Sequence, residues 1–376
     1  MIHTNDTMSE WYCIGNIDSI DSPALIIYPA RVEENIRTLK TMVDDIQRLR
    51  PHVKTHKTKE GALLMMKAGI KKFKCATIAE AEMLAMINAP DVLLAYQPVG
   101  PKLRRFISLI KKYPSTKFSC LVDNFIAAKS IAKVAIENEV MIPVYIDLNV
   151  GMDRTGIVPG DNAIELYESC AGIKGIQPTG LHAYDGHIRA RDIQQRTIEC
   201  DKCFDQVEAM QHVLAGRGFA SPVIIAGGSP TFPIHAKRPN IECSAGTFIF
   251  WDKGYHDLCV EQHFIFAALV ISRIISLPGE TKLCLDLGHK SISAENELQQ
   301  RVYFLNAPEL RFISHSEEHL VAEAALGHSY QVGDVLYGIP FHICPTCALY
   351  ERAFIAENNE VTGEWRIIAR DKKINV

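Results

Sequence analysis

From residue 24 to residue 225, short apolar runs alternate with longer stretches whose apolar residues repeat at helical spacing. The runs are rich in Ile, Val and Leu, which is typical of buried parallel strands. The predicted strands are Ala24–Tyr28, Val53–His56, Phe73–Ala76, Val92–Tyr96, Phe118–Val122, Ile142–Leu148, Thr179–Ala183 and Val223–Ile225. The predicted amphipathic helices are Arg31–Leu49, Ile78–Ile87 and Ile193–Leu214. These repeated strand–helix units predict an α/β fold, a (β/α)8 TIM-type barrel rather than an open sheet.

After Tyr255, strand-like runs follow one another directly, with turn signals such as Pro278-Gly279 between them. These runs are Phe264–Ile275, Lys282–Leu287, Arg301–Phe304, Leu310–Ser314, Val335–Ile343, Ala353–Ile355 and Trp365–Ala369. We therefore predict an N-terminal segment (1–20), a barrel (21–256) and a C-terminal all-β domain (257–376). Within the N-terminal segment, Trp11–Ile17 is a candidate strand of the β domain.

Composition narrows the class of protein. The chain has 376 residues, of which 47% are hydrophobic and 22% charged, so an ordinary globular protein is expected. The 40 basic and 44 acidic residues form no basic block, which argues against nucleic-acid binding. The longest apolar run is shorter than the ~20 residues of a membrane-spanning helix. The polar start lacks a signal peptide, and eleven cysteines without one are typical of a cytoplasmic protein with reduced thiols.

Histidines and basic residues alternate in the segment RPHVKTHK, which begins at residue 50. On a strand, His52, Lys54 and His56 would point to the same side. Burial lowers the pKa of an amine, and the neutral amine is the form that attacks a carbonyl to give a Schiff base. The alternative is a solvated basic strand end, because Lys57 and Lys59 continue the basic tract.

Two glycine-containing turns follow late strands of the predicted barrel. Gly227–Thr231 comes after the strand that ends at Ile225, and Gly246-Thr247 comes after Asn240–Cys243. Glycines at such positions let backbone N–H groups approach a phosphate closely. Two of these turns match the usual phosphate site of a barrel, while a plain tight turn is the alternative for each.

Near the C-terminus, His342 and Cys344 are two residues apart in a predicted extended segment, which would place them on one face. Imidazole and thiolate are good ligands for zinc-like ions. Two Cys-x-x-Cys pairs offer a four-cysteine zinc site or a redox pair as alternatives. Because compact knuckle spacing is missing, we favour buried free thiols for Cys200, Cys203 and Cys347.

Several ordered segments together resemble the D-threonine aldolase and D-serine dehydratase group of fold-type III pyridoxal phosphate enzymes. The likeness covers nearly the whole chain. It is carried by HVKTHKT from residue 52, CATIAEAE from residue 75, Ser22–Leu25, Asp147–Gly156, Gly180–His187, Gly227–Thr231, Glu242–Asp252 and His342–Thr346. Such enzymes are similar to alanine racemase, so the resemblance implies an N-terminal barrel and a C-terminal β domain.

The resemblance also implies roles for individual residues. Lys54 would carry pyridoxal phosphate covalently, Arg154 would meet its phenolic oxygen, and Tyr184 would lie against its pyridine ring. The phosphate would be held by Gly228, Thr231, Gly246 and Thr247. Taken alone, Arg154 is more typical of a surface salt bridge than of a site residue, and Tyr184 is equally typical of a core residue. Near Ser244, alanine racemase has an arginine at the pyridine nitrogen, so a neutral residue here implies a weaker electron sink.

The same resemblance implies a divalent metal on His342 and Cys344, with open positions for water and a substrate hydroxyl. Some members of the group have an aspartate in place of Cys344, which suits manganese or magnesium. A thiolate favours zinc instead.

The implied activity is that of a D-threonine aldolase. This lyase splits D-β-hydroxy amino acids into glycine and an aldehyde, with His56 as the candidate base for the hydroxyl proton. The alternative is a D-serine dehydratase-type reaction that yields a 2-keto acid and ammonia. An amino-acid racemase fits less well because it gives the metal no role. A non-catalytic pyridoxal phosphate carrier fits less well because carriers are typically a barrel alone. Kinship also implies a homodimer.

Overall fold

Residues 10–376 are described by a computed structural model, whose strands form two sheets. Strand β1 (Ala24–Ile27) belongs to the second sheet. The first sheet contains seven parallel strands that pair in chain order. They are β2 (Lys72–Cys75), β3 (Asp91–Leu94), β4 (Lys117–Val122), β5 (Ile142–Leu148), β6 (Ile176–Ala183), β7 (Val223–Ala226) and β8 (Ile241–Cys243).

Residues 49–53 close this sheet into a barrel. The N–H group of Arg50 donates to the carbonyl of Cys243 in β8 (2.9 Å), and that of Val53 donates to the carbonyl of Lys74 in β2 (2.9 Å). Isolated parallel bridges join the same segment to both strands. The prediction of an eight-part barrel is therefore confirmed, with this short segment taking the eighth position.

Helices cover the outside of the barrel, as parallel strands require. They are α1 (Pro29–Thr41), α2 (Lys59–Lys67), α3 (Ile78–Met86), α4 (Pro101–Lys112), α5 (Phe125–Glu137), α6 (Asp161–Ala171), α7 (Ile193–Gly216), α8 (Phe232–His235) and α9 (Lys253–Leu258). Side chains of Thr58, Thr77 and Asn124 cap the first turns of α2, α3 and α5. The predicted helix Arg31–Leu49 ends early, because the side chain of Asp45 accepts the N–H of Gln47 and starts a separate 3-10 turn.

The second sheet forms the core of the C-terminal domain. Its further strands are β9 (Ala268–Ser276), β10 (Lys282–Leu285), β11 (Val302–Phe304), β12 (Arg311–His315), β13 (Leu320–Glu323), β14 (Val335–Pro340), β15 (Arg352–Glu357) and β16 (Glu360–Arg366), and α10 (Ile343–Leu349) follows β14. The central order is β12-β13-β10-β9-β1-β15-β16.

The prediction that Ala24–Tyr28 is a barrel strand is wrong. Strand β1 pairs antiparallel with β9 and parallel with β15. All four of its residues are buried. An apolar run buried on both faces fits either sheet, so the local pattern does not reveal its partner.

The N-terminal segment contributes no strand over residues 10–20, contrary to the prediction for Trp11–Ile17. Instead, Tyr12 and Ile14 are buried against Leu269 and Tyr337 of the second sheet. Residues 1–9 of the predicted segment lie outside the described part of the chain. Nowhere in residues 10–376 is there a helix with both the length and the apolar composition needed to cross a membrane.

Candidate active site

Lys54 lies in a turn at the mouth of the barrel, directly after the closing segment. The N–H of Lys57 donates to the carbonyl of Val53 (3.0 Å), and Lys57 has a positive φ of 54°. The prediction that His52, Lys54 and His56 share one strand face is therefore wrong, because the backbone turns between them. Lys54 is half-buried at the end of the barrel where the carboxyl ends of the strands meet, which is where barrels place functional groups.

His56 packs beneath this turn. Its Nδ1 accepts the N–H of Thr58 (3.2 Å), and its ring meets the ring of Phe250 edge-on. Burial, and then the charge of Lys57, lower the pKa of His56 to about 3. In neutral His56, the nitrogen that could accept a proton is Nδ1, and Nδ1 already accepts the N–H of Thr58. This geometry does not favour the predicted role of His56 as a base.

Arg154 and Tyr184 come together from the ends of neighbouring strands β5 and β6. The guanidinium carbon of Arg154 is 4.9 Å from the centroid of the Tyr184 ring. The amine of Lys74 lies 5.6 Å from the same centroid. Tyr184 is therefore placed among cations at the barrel mouth, in the region the sequence predicted.

The turn after β7 is held in a defined shape by side-chain hydrogen bonds. Gly227 has a φ of +82°, which favours glycine. The N–H of Gly228 donates to Oγ1 of Thr231 (3.2 Å), and that hydroxyl donates to Asp185 (2.7 Å). In the part of the chain that the structure describes, no partner is found for the buried N–H of Ser229. An unpaired buried donor in a glycine turn suits an anionic group such as phosphate.

Gly246 faces the first segment of the barrel at very close range. A Cβ atom on Gly246 would lie 2.8 Å from the carbonyl oxygen of His52. A Gly246→Ala variant is expected to lose about 1–3 kcal/mol of unfolding free energy, because backbone must shift to admit the methyl group. The displaced turn should also weaken binding of pyridoxal phosphate. Thermal unfolding and a cofactor titration would measure both effects.

Gly279→Ala is the matched control, since a Cβ atom there meets nothing within 4 Å. Equal unfolding temperatures and equal cofactor affinities for the two variants would contradict the importance of this close approach.

His342 has an extended backbone, as predicted, but Cys344 lies in the first turn of α10, so the predicted extended conformation is wrong for Cys344. His342 is the N-cap residue, and Pro345 falls in the first turn, where a missing N–H is tolerated. Their side chains nevertheless hydrogen-bond to each other. The sulfur of Cys344 lies 3.1 Å from Oγ1 of Thr55, next to Lys54, and 3.7 Å from Oγ1 of Thr247. The helix start thus brings the predicted metal ligands to the barrel mouth.

This imidazole–thiol pair is strongly polarised. Burial alone would raise the pKa of Cys344, but the hydrogen bond and charge of His342 outweigh it and lower that pKa. Conversely, the pKa of His342 rises to about 9 despite burial, because Cys344 and then Glu295 favour its protonated form. The pair therefore favours the thiolate of Cys344, the form of cysteine that binds metals.

The chain from residue 27 to residue 252 matches the family of the alanine racemase N-terminal domain, and residues 267–356 match the serine dehydratase domain. The chain belongs to the alanine racemase N-terminal domain family. The predicted barrel and β domain are confirmed with it. Enzymes of this family depend on pyridoxal phosphate.

Relatives of this family member are similar along the whole chain. A D-threonine aldolase of an Arthrobacter species is 26% identical over 93% of this chain and 93% of its own. A D-threo-3-hydroxyaspartate dehydratase of a Delftia species is 23% identical over 92% and 97%. The crystal structure of D-threonine aldolase from Filomicrobium marinum matches with a TM-score of 0.86 at 24% identity, over 93% of this chain and 96% of that one. The expectation of a lyase of the aldolase or dehydratase type is thus confirmed.

Solved structures of D-threo-3-hydroxyaspartate dehydratase that are similar to this chain include two single-residue variants. In one a histidine is replaced by alanine, and in the other a cysteine two residues further on is replaced, the latter in a metal-free form.

The residues present in this family member fit a pyridoxal phosphate site. Lys54 offers the amine, Tyr184 a flat ring, and the turns at Gly228 and Gly246 offer close backbone approach. A divalent metal fits the second pair, because His342 and Cys344 supply a nitrogen and a thiolate side by side.

A cavity of about 360 Å³ opens beside His342, and its polar lining was not foreseen from the sequence. Within residues 10–376, the guanidinium groups of Arg189 and Arg191 have no hydrogen-bond or ion-pair partner. Asp252 also lines the cavity; burial raises its pKa to about 6. The two arginines come soon after the motif Gly180–His187. Their closeness to this motif was the signal in the sequence that could have predicted a place in the site.

Among the described residues, one group places three metal-binding side chains within 4.8 Å of one another: Asp185, Cys200 and His235. Its hydrogen bonds are already made. Nε2 of His235 lies 2.8 Å from Asp185, and Arg238 donates to Nδ1 (2.7 Å). Burial raises the pKa of Cys200 to about 12, so this thiol is protonated. The cluster therefore anchors the turn at Thr231 through Asp185. Since the sulfur of Cys200 faces this cluster and that of Cys344 faces Thr55, the four cysteines do not converge.

Proposed function

We propose that this protein is a pyridoxal phosphate- and divalent-metal-dependent lyase that cleaves D-β-hydroxy amino acids to glycine and an aldehyde. One observation carries the proposal. The sulfur of Cys344 from the β domain contacts Thr55, the neighbour of Lys54 in the barrel, at 3.1 Å. An amine for a cofactor and a ligand pair for a metal are thereby adjacent at one barrel mouth.

Each group of the chain has a role in this proposal. Lys54 would hold the aldehyde of pyridoxal phosphate, Arg154 its phenolic oxygen, and Thr231 and Thr247 its phosphate. When bound, the cofactor supplies an electron sink for the bond broken at the α-carbon. Glu295 accepts the Nδ1 proton of His342, which leaves Nε2 as the donor atom for a metal.

The thiolate of Cys344 and Nε2 of His342 would complete a site for zinc, manganese or magnesium with open positions for a substrate hydroxyl. A metal acidifies a bound hydroxyl, which favours loss of its proton. The D-threo-3-hydroxyaspartate dehydratase variants with a replaced histidine and a replaced cysteine at the same spacing support this assignment.

A dehydratase is the second candidate, favoured by the match of residues 267–356 to the serine dehydratase domain and by the Delftia relative. In that case Lys54 would remove the α-proton, and the metal would activate the hydroxyl as a leaving group. The products would be a 2-keto acid and ammonia. The higher identity to the Arthrobacter D-threonine aldolase, 26% against 23%, favours the aldolase.

Product analysis separates the two reactions. The purified protein with pyridoxal phosphate and Mn²⁺ or Zn²⁺ is incubated with D-threonine and, because Arg189 and Arg191 line the cavity, with D-3-hydroxyaspartate. We expect glycine and acetaldehyde from D-threonine, and loss of both products on chelation. Ammonia and 2-oxobutyrate from D-threonine would establish the dehydratase instead. From D-3-hydroxyaspartate the aldolase would release glycine and glyoxylate, and the dehydratase would release oxaloacetate and ammonia. Release of none of these products from either substrate would overturn the proposal.

The proposal includes a homodimer, as kinship implies. Light scattering coupled to size exclusion would test it, and a monomer of 42.0 kDa at micromolar concentration would contradict it.

A further inference from the structure

Four buried side chains form a hydrogen-bonded chain across the inside of the barrel. Asp147 in β5 lies 2.7 Å from Nδ1 of His182 in β6. Nε2 of His182 lies 3.4 Å from the amine of Lys74 in β2, and that amine also contacts Oγ of Ser244 after β8. Barrel interiors are normally filled by branched apolar side chains. A lysine that is 2% exposed at such a position is therefore a candidate for function.

The direction of each hydrogen bond follows from the partners. Ser244 donates to the carbonyl of Gly227 (2.9 Å), so its oxygen accepts from Lys74. Asp147 accepts the Nδ1 proton of His182, so Nε2 is an acceptor as well. Lys74 is thus the donor at both contacts, and the chain fixes its amine in place.

The chain ends inside the site described above. Ser244 is bound to Gly227, the first residue of the candidate phosphate turn. The amine of Lys74 lies 5.6 Å from the ring of Tyr184, and the charges of Lys54 and Arg154 both act on it. Lys74 therefore lies on the floor of the site that Lys54 borders at the mouth.

We propose that Lys74 is a positioning residue that acts through Ser244 to set how strongly the floor of the site polarises the ring of bound pyridoxal phosphate. The inference rests on the proposed function. A bound pyridine ring would compete with the carbonyl of Gly227 for the single hydroxyl proton of Ser244. A protonated amine that donates to Ser244 makes that hydroxyl a stronger donor to the ring, whereas a neutral amine weakens it. Ser244, the neutral residue expected near the pyridine nitrogen, is thereby hydrogen-bonded to an amine that can carry charge.

Lys74 can change its charge near neutral pH. Burial, and then the charge of Lys54, lower its pKa to about 7, although Asp147 and Asp185 act in the opposite direction. The charged and titratable groups that face it from the surrounding elements are those of Lys54, Arg154, Asp147, Asp185, His52, His182 and Tyr184.

The pH dependence of the visible absorbance of the loaded enzyme tests the inference. For the wild type we expect a transition with a midpoint near 7 when the pH is raised from about 6 to about 9. Lys74→Met should lack this transition. Lys74→Arg should keep the low-pH spectrum throughout, because a guanidinium stays protonated. Lys72→Met is the matched control on the same strand, and this variant should keep the transition. Lys72 forms an ion pair with Glu242, and Glu242 is still held by Arg50 when Lys72 is replaced.

Unfolding of the cofactor-free chain gives a second readout. The pKa of Lys74 is lowered from 10.5 to about 7 on folding, so the unfolded chain binds the extra proton between these values. Lys74 therefore lowers the free energy of unfolding by its full amount below pH 7. This destabilisation disappears as the pH rises towards 10.5. The melting temperature of the wild type should accordingly rise relative to that of Lys74→Met from about pH 7 to about pH 10.

The outcomes are distinguishable. An unchanged absorbance transition in Lys74→Met would overturn the inference and leave the proposed function standing. A difference in melting temperature that does not vary with pH would also overturn it. If the wild-type chain takes up no pyridoxal phosphate, the proposed function fails and this inference fails with it.

Discussion

Replacement of Lys54 by alanine is expected to lower turnover of D-threonine by about 10³–10⁶-fold, because the amine proposed to carry the cofactor is lost. Borohydride reduction of the loaded wild type should attach the cofactor to the peptide that contains Lys54, and mass spectrometry would locate it. The variant should bind pyridoxal phosphate reversibly and lose the label.

Lys74 is a second amine in the same site, with a pKa of about 7, so the labelling experiment must distinguish between the two lysines. If Lys54→Ala keeps its colour and borohydride labels Lys74 instead, the assignment of the two lysines must be exchanged. Lys59→Ala is the control, because this lysine in α2 has no hydrogen-bond or ion-pair partner in residues 10–376. It should retain full labelling and activity.

Removal of either proposed metal ligand is the second large effect we expect. His342→Ala and Cys344→Ser should each lower activity by roughly 100-fold or more. Loss of a residue that only hydrogen-bonds to a metal ligand typically costs about 10–100-fold, and loss of the ligand itself should cost more. Chelation of the wild type should reproduce the loss, and added Mn²⁺ or Zn²⁺ should reverse it. The metal content of each purified variant gives a readout that does not depend on turnover.

Cobalt substitution identifies the sulfur ligand directly. Co²⁺ bound to the wild type should show a thiolate charge-transfer band that disappears in Cys344→Ser. Cys347→Ala, one turn further along α10 and buried in the core, should keep both the band and the metal. A full metal content in Cys344→Ser, together with unchanged activity, would refute the assignment of this cysteine.

Much of the architecture was readable from local patterns. Six of the eight predicted barrel strands overlap observed barrel strands, and a seventh, Val53–His56, meets the closing segment at Val53. The amphipathic helix Ile193–Leu214 is found as Ile193–Gly216. These predictions succeeded because period and apolar content report how much of a segment is buried. The short strand Leu320–Glu323 was missed, because it is half-buried and only four residues long.

The candidate site was predictable to the extent that it lies in ordered motifs. Arg154 and Tyr184 contact each other, and His342 and Cys344 meet, as those motifs indicated. The conformation of their segments was only partly predictable. Both HVKTH and HIC were expected to be extended, but the first turns after Val53 and the second enters α10 after His342, which keeps the extended backbone. In the first segment the N–H of Lys57 donates back to the carbonyl of Val53 (3.0 Å), and in the second the N–H of Ile343 donates to Asp252 (3.1 Å), a residue distant in sequence.

Residue order along this chain was enough to establish the succession of strands and helices, the two kinds of domain and the motifs at the strand ends, because each depends on neighbours within a few positions. Long-range pairing settled the rest. It placed β1 in the second sheet and let residues 49–53 close the barrel. It also buried Lys74 between His182 and Ser244, more than 100 residues away. Burial and charge at such a position come from groups distant in sequence, so no local pattern contains them.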